Sequence, residues 1–346
     1  MHSPTTAGRT ITAQDIARSP AWLPLEADTA VRLVQLDESA YRSASFLDQR
    51  LLALGYPQGE CSFAVLEAAA ARLNPRAYWI FHTGHVGSTL VSRLTGAHAG
   101  LFALREPALL RGLAALEPSP ARAAALAVTL ALLGRTWRAD QRAVVKATSF
   151  VSELAEPILA APDQPAALFM FAQPHAYLQS IFAGPVSRVE SRQLAAARVQ
   201  RLARRLGPGE WRPDLRSEGE CIAMSWLCEM TVLHQAASSC EDRVLWIDFD
   251  EFLAAPAAAL APIFRALGAD APMSEIAALA GGPLMHQYSK APEHPYDAEL
   301  RRSLLLAADH EHAAEIRRGM AWLHRVGAQQ ETVAAVLERA ARERGA

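Results

Sequence analysis

The run Tyr78-Trp79-Ile80-Phe81-His82-Thr83-Gly84-His85-Val86-Gly87-Ser88-Thr89-Leu90 constrains the fold of this chain more than any other stretch. Tyr78 to Phe81 is short, apolar and aromatic, which suits a buried parallel strand. A turn of small residues follows, Thr83 to Gly87. A helical pattern comes next, with Leu90, Val91 and Leu94 apolar against Ser88, Thr89 and Ser92 polar. Strand, glycine turn and helix aim backbone N–H groups and a helix N-terminus at an anion. Glycine lets the backbone close on the ligand, and Ser88 and Thr89 add hydroxyl donors. The stretch reads as a phosphate-binding loop.

Spacing separates this loop from the nucleotide-hydrolase form, G-x-x-x-x-G-K-[ST]. Counted back from Gly87, the first glycine falls on His82 and the lysine on Ser88. Both required residues are missing, which argues against an ordinary ATPase or GTPase. The rest of the chain alternates strands and helices. Leu101–Leu104, Ala143–Val145, Ala167–Phe171 and Val244–Ile247 are strand-like runs separated by helical patterns. That order implies a mostly parallel sheet covered on both faces, with ligand beyond the carboxyl ends of its strands. Residues 1–75 read as a polar start followed by short amphipathic helices, an N-terminal helical extension. Residues 76–346 read as the α/β domain.

Composition sets outer limits. With 346 residues the chain can bury a large core. A formal net charge of −2 gives no global basic field for nucleic acid. The longest apolar run, 123–133, is too short to span a bilayer. The four cysteines, Cys61, Cys221, Cys228 and Cys240, show no C-x-x-C spacing, so a reduced, cytoplasmic setting is expected.

Several islands resemble the PAPS-dependent sulfotransferases, with tyrosylprotein sulfotransferase-like proteins the nearest pattern. Gly84-His85-Val86-Gly87-Ser88-Thr89-Leu90 is similar to the family's 5′-phosphosulfate loop, P-[KR]-S-G-T-T-L. Glycine and both hydroxyl residues match; Gly84, His85 and Val86 replace Pro, Lys/Arg and Ser. Residues 171–180 resemble the 3′-phosphate segment, with Pro174 and Ser180 in register and Ala172 in the arginine place. Residues 244–256 resemble the strand–helix signature V-L-x-V-x-Y-E-D-L-x-x-x-P, with Phe249 for its tyrosine. Tyr288-Ser289-Lys290 resembles a late S-K element. The resemblance implies a P-loop α/β fold and PAPS as co-substrate. It places Gly84, His85, Val86, Gly87, Ser88, Thr89, Ser180, Ser289 and Lys290 around the nucleotide. Glu106 falls in the place of a glutamate base, and His85 in the place of the cation that stabilises the leaving phosphate. The acceptor is then a small molecule or peptide bearing a hydroxyl or amine, and no metal is required.

Individual residues carry alternatives. Arg105 either binds phosphate or substrate, or pairs with Glu106. Lys146, at a strand end, either contacts an anion or enters solvent. Arg188 and Arg192 either replace the charge missing at Ala172 or lie on a solvated face. The Arg198 to Arg205 series reads as a solvated helix face, with attraction of an acidic partner as its alternative. Asp248 and Asp250 read as helix-capping acids rather than metal ligands. Two other functions stay open: a P-loop kinase or phosphotransferase using ATP–Mg²⁺, and a non-catalytic nucleotide-binding protein on the same fold.

Overall fold

The computed structural model describes residues 10–27, 30–74, 76–161, 164–209, 211–212, 216–288 and 293–343. Its strands are β1 (Trp22–Ala27), β2 (Val31–Gln35), β3 (Gln58–Cys61), β4 (Tyr78–His82), β5 (Leu101–Arg105), β6 (Arg142–Lys146), β7 (Ala167–Phe171) and β8 (Val244–Asp248). They form a three-stranded sheet, β1-β2-β3, and a five-stranded parallel sheet in the order β5-β6-β4-β7-β8. Helices fill the connections between the parallel strands, as the sequence pattern anticipates. β5 and β7 are buried at every position, the mark of strands covered on both faces. No helix among the described residues is long and apolar enough to cross a membrane.

The chain divides into two compact units. The first comprises Met1–Ile80, Thr89–Ala167 and Phe264–Ala271. Here the N-terminal reading needs correction, because residues 22–61 carry three antiparallel strands as well as short helices. Pro24 interrupts the β1 pattern, and the register slips between Pro24 and Glu26. Proline is tolerated because β1 is an edge strand of its sheet. β3, Gln58-Gly59-Glu60-Cys61, has almost no apolar alternation to signal a strand. The sheet's inner residues, Trp22, Val31 and Leu33, cluster with Ile11, Ile16, Leu66, Ala69 and Leu132.

Within this unit, register aligns the ends of β5 and β6 with Ile80 of β4. Lys146 lies opposite Arg105 of β5 and opposite Ile80 of β4. The ladder continues one step: Glu106 N–H donates to the Lys146 carbonyl at 2.7 Å, and Ala147 N–H to the Ile80 carbonyl at 3.0 Å. Glu106 and Ala147, which leave the strands here, depart from the carboxyl edge where open α/β sheets take ligand.

The second unit comprises Phe81–Ser88, Leu168–Ile263 and Pro272–Ala346. Its axis is the helix Glu218–Ser238, buried over most of its length. The helix Ala313–Gln329 packs against it. Gly219 makes that approach possible, since a Cβ there would sit 1.8 Å from the Glu315 carbonyl oxygen. The helix Ala195–Leu206 overturns the solvated-face expectation for Arg198 and Arg201, while Arg204 is exposed. Arg198 and Arg201 are buried, and Arg201 forms a two-pronged pair with buried Glu229, both bonds 2.9 Å. Periodicity placed these arginines on one face; the buried Glu229 on a neighbouring apolar helix turned that face inward.

Candidate functional site: a glycine loop and a buried glutamate

The loop after β4 has an unusual backbone. Gly84, His85 and Gly87 have φ values of 88°, 56° and 62°. Glycine takes this left-handed region freely, whereas His85 does so at a cost of about 1–2 kcal/mol. Strain of this kind gathers where a chain must present its backbone in a set way. His82, buried at the strand end, accepts the Gly84 N–H on Nδ1 at 3.0 Å. Thr83 N–H donates to the Met170 carbonyl at 3.1 Å, fixing the loop's first residue. Val86 is buried, so it anchors the turn by its side chain. His85 is half-exposed. The helix Ser88–Gly96 starts directly after Gly87, with Ser88 and Thr89 buried in its first turn.

Two hydroxyls here have no acceptor or donor among the described residues. Thr83 Oγ1 and Thr89 Oγ1 are both shut from solvent and unpartnered. A buried hydroxyl without a hydrogen bond costs about 1–3 kcal/mol, and native proteins rarely leave one unless a ligand or water completes it. Thr89 was among the expected ligand residues; Thr83 was not, although its place just before the first glycine is the available signal.

The loop also presses closely on Phe249, the first residue of the helix Phe249–Ala254. A Cβ at Gly87 would lie 2.0 Å from Phe249 Cε2 and 2.2 Å from its Cζ. Phe249 is buried and stacks near Phe252, with ring centroids 6.3 Å apart.

Glu106 occupies a second strained position. It is buried, follows β5, and has φ 54°. Its carboxylate pairs with Lys146 Nζ through Oε1. Through Oε2 it accepts from Arg111 Nη2 and from Thr148 Oγ1, both at 3.1 Å. Arg111 Nε also donates to Thr148 Oγ1 at 3.2 Å. Arg111 Nη2 reaches Asp48 Oδ2 as well, at 3.3 Å. Asp48 is buried, and burial pushes its carboxyl up, but hydrogen bonds and charge from Arg50, with the charge of Arg111, hold it below the usual range. An N-terminal segment frames this turn. Leu47 N–H donates to the Arg105 carbonyl at 2.8 Å, and the Leu47 carbonyl accepts from Ala108 N–H at 3.0 Å. Leu47 therefore bonds on either side of Glu106 and holds it in its left-handed conformation.

The outcomes for the remaining residues are mixed. Arg105 neither pairs with Glu106 nor lies open to ligand. Its guanidinium donates to the Tyr41, Arg42 and Ala44 carbonyls, closing the end of the helix Glu38–Ser43. Burial, then Arg93, lower its pKa to about 9. Lys146 is fully buried and does not enter solvent. Arg188 and Arg192 both pair with Glu218, Arg188 at 2.7 Å and Arg192 at 3.3 Å, and the Arg192 side chain is exposed. Ala172 is buried and its carbonyl accepts from Trp226 Nε1 at 2.9 Å. Ser180 is half-buried within the helix Pro174–Phe182. Ser289 and Lys290 lie outside the described residues. Asp248 caps the helix Phe249–Ala254 as expected, accepting from Asp250 N–H at 2.8 Å and Glu251 N–H at 3.3 Å. Its other oxygen accepts from Gln173 Nε2 at 2.9 Å.

No protein-family model matches this sequence, and no curated protein does. Among solved structures, the chain is similar to a sulfotransferase domain from the curacin biosynthetic pathway. That likeness has 16% identity and a TM-score of 0.42, and covers 69% of this chain and 90% of that one. It is similar also to a sulfotransferase domain from the Synechococcus PCC 7002 olefin synthase. Here identity is 16% and TM-score 0.38, covering 68% and 86%. At that overlap the likeness carries no residue-level weight, and the site rests on its own geometry.

Proposed function

We propose that this chain is a sulfotransferase that moves a sulfuryl group from PAPS to a hydroxyl or amine of a small-molecule or peptide acceptor. When bound, PAPS supplies the sulfuryl group and a phosphate leaving group. The observation that carries the reading is the pair of buried, unpartnered hydroxyls, Thr83 and Thr89, flanking a left-handed glycine turn at the end of β4. Such a turn offers backbone N–H groups, two hydroxyls and a helix N-terminus to one oxyanion.

The roles divide between the two strained segments. Residues 84–89 hold the donor's 5′-phosphate side, and His85 donates a hydrogen bond to the leaving oxygen. Glu106 accepts the proton released by the attacking hydroxyl or amine. Lys146, Arg111 and Thr148 fix its carboxylate in one orientation, which direct transfer needs more than covalent catalysis. Ser180, Ser289 and Lys290 remain the proposed contacts to the rest of the nucleotide. In this scheme residues 1–75 extend a core of residues 76–346, and the bonds made by Leu47 and Asp48 support a part for that extension in holding the Glu106 turn. The setting is cytoplasmic.

An ATP–Mg²⁺ phosphotransferase is the rival. It needs the lysine that Ser88 replaces, and it needs an acid at Asp248 or Asp250 to hold the metal, whereas Asp248 caps a helix and Asp250 pairs with Arg301. The test is to follow adenosine 3′,5′-bisphosphate released from PAPS, with and without a panel of phenols, alcohols and amines. Acceptor-dependent release that disappears in Glu106→Gln supports the proposal. Release unaffected by Glu106→Gln removes Glu106 from the chemistry, and no release with any acceptor sinks the assignment.

A further inference from the structure

The loop has a gap in its electrostatics. Between His82 and Thr89 there is no lysine or arginine. Hydroxyls and backbone amides orient a phosphate or sulfate, but they do not neutralise it. A cation from elsewhere in the same unit is therefore needed.

The structure holds one with an unused donor. Arg301, on the helix Ala298–Glu311, is only 6% exposed. Its guanidinium carbon lies 5.0 Å from the centroid of the Phe249 ring. This is the ring against which Gly87 packs too tightly to admit a methyl group. Nη1 pairs with Asp250 Oδ1. Nη2 is shut from solvent and has no acceptor among the described residues. Tyr296 belongs to the same neighbourhood: burial raises its pKa, Arg301 lowers it, and Tyr288 and Asp250 raise it further. Tyr288 and Tyr296 meet edge to face at 5.5 Å, and their strands of loop are pinned by Tyr288 N–H to the His294 carbonyl at 2.8 Å.

An arginine presents five donors and is costly to bury with any of them unsatisfied. Asp250 is a partial counter-ion, since its side chain is 39% exposed. A buried guanidinium with one arm spent and one arm unspent, resting on the ring that supports the glycine loop, is a cation held for a ligand. We infer that Arg301 binds a phosphate or sulfate oxygen of the ligand held by the glycine loop, supplying the positive charge that the loop itself lacks. Phe249 then has a double purpose: its edge receives Gly87 and its face seats Arg301. The inference deepens the proposed function and rests on its loop being an oxyanion site, though not on the identity of the transferred group.

The test measures binding rather than turnover. Inorganic sulfate, AMP and adenosine 3′,5′-bisphosphate are titrated by calorimetry at low salt into the full chain. The same titrations are run on Arg301→Gln, Arg301→Met and Asp250→Asn. Loss of a charge-assisted bond predicts roughly tenfold to hundredfold weaker binding in both Arg301 variants. Asp250→Asn leaves the arginine and removes its competitor. Binding should then tighten by roughly twofold to fivefold, the worth of a partly exposed ion pair. That gain distinguishes ligand contact from a structural role, which Asp250→Asn would only weaken. Equal losses for AMP and the bisphosphate place Arg301 on the loop's own phosphate; loss for the bisphosphate alone places it on the second phosphate. Wild-type binding retained in all three variants overturns the inference and leaves the functional reading standing. If the wild type binds sulfate but neither nucleotide, the functional reading falls and the sulfate titrations alone judge Arg301. If it binds no oxyanion at all, the inference falls too.

Discussion

Gly87→Ala tests the close approach on which the loop depends. Two separate costs add at this position. An L-residue at φ 62° loses about 1–2 kcal/mol relative to a relaxed backbone. The new methyl would also fall 2.0, 2.2 and 2.7 Å from three carbons of the Phe249 ring. None of those separations is tolerable, so ring and loop must part, and overpacking of this kind costs about 1–3 kcal/mol. The sum is about 2–5 kcal/mol. Urea denaturation monitored by tryptophan fluorescence measures it, with Trp246 close to Phe169 and Phe171 as a reporter of the same unit. The companion variant Phe249→Leu separates the two costs. In the double variant the packing cost shrinks while the backbone cost persists, so the penalty of Gly87→Ala should fall to about 1–2 kcal/mol. A Gly87→Ala penalty under about 0.5 kcal/mol, within the range of a neutral surface change, would show that Phe249 does not support the loop. An equal penalty in both backgrounds would refute the packing argument as well.

Three other substitutions follow from the same geometry. Lys146→Met strands the Glu106 carboxylate beside the half-exposed Arg111 and should cost about 3–5 kcal/mol, with much of that recovered in Lys146→Met/Glu106→Gln; additive losses on denaturation would contradict the pairing. Thr83→Val deletes a hydroxyl that has no partner; thermal stability without ligand should hold or rise, while sulfate affinity by calorimetry drops, and a loss of stability would mean the hydroxyl already has an intramolecular role. Asp48→Asn probes acid sensitivity. Because the Asp48 carboxyl is held below its usual range in the fold, its contribution is present above the unfolded-state value near 3.9 and disappears as pH falls through the lower folded value. Melting curves should therefore show a shallower acid decline in Asp48→Asn than in the wild type, and parallel declines would remove Asp48 from the network around Arg111.

The parallel sheet was legible because its strands are buried on both faces. Runs such as Ala167–Phe171 need no partner to be recognised, and the glycine turn after β4 announces itself by residue type. The antiparallel strands before residue 62 left no such mark, with Pro24 and a bulge breaking β1 and polar residues filling β3. Charges were harder still. Sequence periodicity puts Arg198 and Arg201 on one face, but only the fold brings Glu229 beneath them. Arg105 and Lys146 stand at strand ends, where ligand or Glu106 suits the first and ligand or solvent the second. The decisive partners, the carbonyls of residues 41–44 and the carboxylate of Glu106, lie some 40 to 64 positions away in the chain. Arg301 carries no local signal at all, because its meaning comes from Phe249 and an empty hydrogen-bonding arm.

The central claim is that the loop after β4 takes the oxyanion of a sulfuryl donor rather than of ATP. The most direct measurement is a calorimetric titration of adenosine 3′,5′-bisphosphate, ATP–Mg²⁺ and ADP against the wild-type chain, with thermal melting in parallel. Saturating bisphosphate should bind and raise the melting temperature by mass action, while ATP–Mg²⁺ gives no saturable heat. Tight binding of ATP–Mg²⁺ with none of the bisphosphate would contradict the account and turn the loop over to phosphoryl transfer.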